Sequence, residues 1–79
     1  MPKVNNVCIV EQYVEDQVER WLGSQVYKNR RIAVYQAKEA HGITVEVSLD
    51  LKPEEFAKIV KAVKECNHHG IHTRLVANP

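Results

Sequence analysis

Apolar positions recur along this chain in two rhythms. In the opening segment NNVCIVEQYVEDQVERWLGSQ, the residues Val7, Val10, Val14, Val18, Trp21 and Leu22 return at steps of three and four, which lines one side of an α-helix. Glu11, Glu15, Asp16 and Glu19 fall on the opposite, solvated side. An Asn5 or Asn6 amide oxygen suits the helix start, and Gly23 suits its end. The competing assignment makes VCIV, residues 7–10, a short buried strand followed by a helix from Gln12. That needs a turn at Glu11-Gln12-Tyr13, which holds no turn-forming residue, so the continuous helix is preferred.

The second rhythm has period two. Ile43, Val45, Val47, Leu49 and Leu51 alternate with Thr44, Glu46, Ser48 and Asp50, as a strand with one buried face requires. The preceding segment RRIAVYQAK is a strand of mixed character, joined to it at Ala40-His41-Gly42. A two-residue His-Gly turn would set Lys38 and Gln36 beside Val45 and Val47. A three-residue loop, with Gly42 left-handed, pairs Ala37, Tyr35 and Ala33 with Val45, Val47 and Leu49. The second register matches apolar with apolar and keeps Lys38 in water. It turns Ile32 and Val34 to the sheet's other face, where a second helix or another chain would cover them.

In KPEEFAKIVKAVKECNHHG, Pro53 suits the first helical position, and Glu54 and Glu55 complement the positive helix start. Phe56, Ile59, Val60, Val63 and Cys66 form its apolar stripe, and Gly70 stops it. IHTRLVA is a final strand, with Ile71, Thr73 and Leu75 on one side and His72, Arg74 and Val76 on the other. The order α-β-β-α-β specifies a small α+β domain over residues 1–79, with a three-stranded antiparallel or mixed sheet and two helices on one face. A strand at residues 7–10 would instead make it β-α-β-β-α-β, the ferredoxin-like pattern.

Composition narrows the class. Seventy-nine residues suffice for one domain, which buries only about 60% of its unfolded surface. No apolar run reaches the roughly 18–20 residues that span a membrane, and the N-terminus lacks a secretory pattern. Two isolated cysteines, Cys8 and Cys66, fit a reducing compartment, each as a small buried hydrophobe. The expectation is a complete cytoplasmic protein. The net charge of +1 conceals an uneven distribution: residues 1–27 carry −2 and residues 28–79 carry +3.

Candidate chemistry concentrates in ECNHHGIH, Glu65 to His72. Zinc needs three or four convergent ligands, and His68, His69 and His72 are the candidates. Cys66 belongs to the apolar stripe, however, and histidines at a helix C-terminus suit the free carbonyls there. No Gly-rich phosphate loop or nucleophile motif occurs, and no pair of carboxylates can be placed across a cleft, so no enzyme, cofactor or small-molecule substrate is expected. A nucleic-acid surface would use Lys28, Arg30, Arg31, Lys58, Lys61 and Lys64 on phosphates, although Glu54–Lys58 and Lys61–Glu65 spacing is ordinary for a solvated helix. A protein-binding surface would use Ile32, Val34 and Trp21 with Glu15 and Glu19 of the acidic helix. The preferred expectation is a small, self-associating inhibitor- or adaptor-like protein, most naturally a homodimer, that binds another protein to occlude or regulate a larger complex.

Overall fold

The computed structural model describes residues 6–37 and 42–78, with side chains from Ile9 onward. Helix α1 spans Asn6–Leu22, a short helix α2 Ser24–Asn29, strand β1 Ile32–Gln36, strand β2 Ile43–Ser48, helix α3 Pro53–His68 and strand β3 Thr73–Asn78. Residues 7–10 are helical, so the ferredoxin-like alternative does not hold. The expected Asn5 cap, the side chains of Val7 and Cys8, and the hairpin tip through His41 lie outside the described residues.

Gly23 links the first two helices. Its φ of +97° is a conformation that favours glycine. Its N–H donates to Glu19 O at 2.8 Å and its carbonyl accepts from Tyr27 N–H at 2.9 Å, ending α1 and opening α2. Helix α2 buries no residue completely, which is why SQVYKN carries no periodic stripe.

The sheet is mixed, in the order β1-β2-β3. β1 runs antiparallel to β2, and β3 lies parallel to β2 after the α3 crossover. Helices α1 and α3 cover one face, where Val14, Val18 and Leu22 meet Ile59, Ala62, Val63 and Cys66 over Ile43, Val45 and Val47. Lys61 lies over the Trp21 ring and His69 sits edge-on to Tyr13, so the two long helices run antiparallel.

The hairpin corrects the expected register. Val34 pairs with Val45, Ile32 with Val47 and Gln36 with Ile43. The Ala37 N–H closes the hairpin on Gly42 O at 2.9 Å, leaving a four-residue connection. The register thus differs by three residues from the expected one, and an odd shift exchanges the faces. Ile32 and Val34 pack against the helix-covered core, while Tyr35 is exposed on the other side. The physical reason is packing together with polarity. Ile32 and Val34 bring two β-branched side chains beneath the helices, where the expected register would set two alanines and Tyr35, whose hydroxyl instead reaches Glu46 on the helix-free face. A Cβ on Gly42 would meet His72 O at 2.9 Å, so its hydrogen side chain admits the chain that enters β3.

Helix α3 is tied down at both ends. Glu55 accepts from the Lys52 N–H at 3.1 Å, holding the first turn. At the other end Gly70, with φ +85°, donates to Asn67 O while Ile71 N–H reaches Cys66 O, both at 3.0 Å. These two bonds form a Schellman stop. Asn67 then bridges to the sheet: its amide donates to Thr73 O at 2.9 Å and its oxygen accepts from Thr73 N–H at 2.8 Å.

Candidate functional site

The five residues expected to bind a protein do not form one patch. Ile32 and Val34 face the core, so their claim to a second-face interface falls with the register. Trp21 lies at the α1–α3 seam, 39% exposed, with the Lys61 ammonium 5.9 Å from its ring centroid. Glu15 and Glu19 lie on the flank of α1 turned towards α2. Burial first, then Asp16, Glu11 and Glu19, raise the Glu15 carboxyl above its ordinary range. Glu19 accepts a hydrogen bond from the Ser24 hydroxyl at 2.9 Å. Tyr27 sits in the same acidic surroundings: burial raises its phenol, and Glu15, Glu19 and Asp16 add to the shift.

The basic set is also divided. Arg30 is committed within the protein, its Nε and terminal nitrogen each donating to Glu55 at 3.0 Å in a bidentate pair. Lys61 lies over Trp21. Lys58, Lys61 and Lys64 step around α3 rather than stacking on one line, because three-residue spacing drifts about 60° per step. Lys28 and Arg31 remain exposed, but an overall charge of +1 supplies little field for a polyanion.

The Arg30–Glu55 pair carries a testable pH dependence. The Arg30 guanidinium, followed by the Lys52 N–H, holds the Glu55 carboxyl below its usual value of 4.5. A carboxylate depressed in the folded state contributes stability that is complete above its unfolded value. That contribution is lost as pH falls through the folded value. Denaturation midpoints of the wild type should therefore decline below about pH 4.5. Glu55→Gln should be less stable at pH 7 and show a shallower acid decline; parallel curves would contradict the pairing.

The histidine cluster resolves into a helix end. His69 Nε2 lies 3.0 Å from Glu65 Oε2, and the His68 and His69 rings meet at 78°. His72 is elsewhere, against Gly42 at the start of β2. Among the described residues no three His, Cys, Asp or Glu side chains group as a metal ion would require. Cys66 is fully buried. Burial pushes its thiol up, a bond with Thr73 pulls it partly back, and Glu65 adds a small rise. Such a thiol is a poor nucleophile.

The helix-free face holds what the sequence pattern did not reveal. Thr44 is fully buried there, beneath Arg74, whose Nε donates to its hydroxyl at 2.9 Å. Tyr35 donates its hydroxyl to Glu46 at 3.0 Å, and Asn78 donates to the other Glu46 oxygen. A shallow depression between Arg31, Ala33, Glu46, Ser48 and Asn78 is open to solvent rather than enclosing. Comparison with known proteins adds no further assignment. The chain matches no family model, and no similar curated protein or solved structure was found. No helix among the described residues is long and apolar enough to cross a membrane. Of the apolar side chains singled out for a protein surface, Trp21 is the exposed one, while Ile32 and Val34 are partly buried. Periodicity placed Trp21 on the core stripe of α1, and the structure leaves it exposed at that stripe's outer border.

Proposed function

We propose that this is a non-catalytic cytoplasmic protein that acts by binding another protein, occluding or regulating a larger complex. The observation that supports this reading is the setting of Trp21. The chain's one tryptophan is 39% exposed on the two-helix layer, beside Lys61 and, farther along the seam, Tyr13, His69 and Glu65. An aromatic anchor within a charged rim is the composition that interface cores favour. The compartment is supported by Cys66, a free buried thiol whose role is packing.

The test is quantitative capture from native cells with Trp21→Ala beside the wild type. Trp21 borders the core rather than filling it, so the variant keeps its circular dichroism. The partner's affinity should fall by about 2 kcal/mol or more, roughly thirtyfold. A partner held equally well by the folded variant would overturn the assignment.

A further inference from the structure

We propose that the free edge of β3 pairs antiparallel with the same strand of a second copy of this chain, continuing the three-stranded sheet into a six-stranded one. The inference stands apart from the Trp21 surface and uses a different part of the molecule.

β3 is a terminal strand of the sheet among the described residues. Its hydrogen-bonding directions follow from its pairing with β2. Ile43 is in register with Thr73 and donates to His72 O at 2.8 Å. In a parallel ladder this turns the N–H and C=O of residues 74 and 76 towards β2 and those of Thr73, Leu75 and Ala77 outward. Both outward groups of Thr73 are already satisfied by the Asn67 side chain. What remains is a short open segment with donors and acceptors on Leu75 and Ala77, placed symmetrically about Val76.

That symmetry selects the partner and the register. A two-fold axis at Val76 sets Leu75 opposite Ala77 of the second copy, and Ala77 opposite its Leu75. Each opposed pair exchanges two backbone hydrogen bonds, four in all, and Thr73 keeps its Asn67 cap. Shifting the axis to Leu75 would oppose Thr73 with Ala77 and require Asn67 to let go. With the axis at Val76, Arg74 stands opposite Asn78, so no like charges meet. Both helix layers lie on the same side, so apolar residues continue across the seam. On the helix side Leu75 is half-buried and Phe56 is exposed on α3, while Val76, 38% exposed, meets its counterpart on the helix-free face. By helical spacing Phe56, Val60 and Asn67 share one side of α3, the side that Asn67 binds to β3. Phe56 and Val60 are therefore placed to meet their counterparts above the joined strands.

Edge strands that must stay single carry lysine, proline or an inward charge. β3 has one charged residue, Arg74, and it is drawn back across β2 to Thr44. Among the described residues, the outward edge of β3 is guarded at Thr73, by Asn67.

Sedimentation of the full chain across about 10–500 μM tests this, a range suited to a small interface. The weight-average mass should rise from 9.1 kDa towards twice that value. Ala77→Pro deletes an outward N–H while leaving the bonds to β2 intact, as prolines at sheet edges do. It should weaken association by more than tenfold with an unchanged circular dichroism spectrum. Val76→Asp, which opposes carboxylates across the axis, is the second variant should the proline disturb folding, and it should also yield a monomer. In hydrogen exchange, the Leu75 and Ala77 amides should slow as concentration rises while that of Thr73 does not change. A wild type that stays at monomer mass throughout, or a dimer that folded Ala77→Pro and Val76→Asp leave intact, would overturn the proposal. Either result leaves the Trp21 assignment to be judged by its own variant.

Discussion

Val34→Asn destabilises the protein by about 3 kcal/mol, whereas Tyr35→Asn, one residue on, costs less than about 1 kcal/mol. Val34 packs against the helix-covered core opposite Val45. Its replacement forfeits the valine's buried apolar surface, roughly 1–2 kcal/mol, and sets a carboxamide where few partners exist, at roughly 1–3 kcal/mol more. Tyr35 points to the helix-free face and gives up one exposed hydrogen bond, to Glu46 at 3.0 Å. For a chain of this length total stability is of order 4–12 kcal/mol, so the first change removes a large fraction of it. Urea unfolding of both variants measures the contrast. The order of the two effects would be reversed if Tyr35 and Ala33 faced the core.

Ile59→Ala carries the other large effect. Ile59 is fully buried, between α1 and the sheet. Truncation loses its transfer energy and leaves a cavity that flanking valines, stiff at χ1, fill poorly. A loss of about 2–5 kcal/mol is expected, against about 0.5–1.5 for Ile59→Val. Ile9→Ala, at a side chain 55% exposed on α1, should stay within about 0.5 kcal/mol. Thermal melts of the three variants give the comparison. Equal losses at positions 59 and 9 would mean that α3 does not close over the sheet.

The long helices were legible in the sequence because each is amphipathic over several turns. Val14, Val18 and Leu22 on α1, and Ile59, Val63 and Cys66 on α3, sit in the core their spacing implies. The stop at Gly70 was legible for the same local reason. What the pattern could not decide was the hairpin. Both faces of β1 offer apolar residues, Ile32 and Val34 against Ala33, Tyr35 and Ala37, so period two alone leaves the register degenerate. Tertiary packing beneath α1 and α3 broke the tie, and the presumed protein-binding pair became core. The candidate surface was less legible still. Trp21, Glu15 and Glu19 are neighbours in sequence, yet α3 lies against one side of α1 and α2 against another, so they point to different places. Arg30 looked free because its partner Glu55 is 25 residues away, beyond any local signal. Asn67 looked like a helix-end residue, and its bridging of Thr73 depends on where the crossover returns β3.

The face presented by β1 determines which residues are left to meet a partner, and nuclear Overhauser contacts between α-protons read it directly. Val34–Val45, Ile32–Val47 and Gln36–Ile43 are non-hydrogen-bonded pairs, whose α-carbons approach to about 4.5 Å. Strong α-proton cross-peaks between these three pairs are the predicted result. Cross-peaks placing Val34 beside Ser48 instead would return Ile32 and Val34 to the open face and contradict the assignment of the partner surface to Trp21.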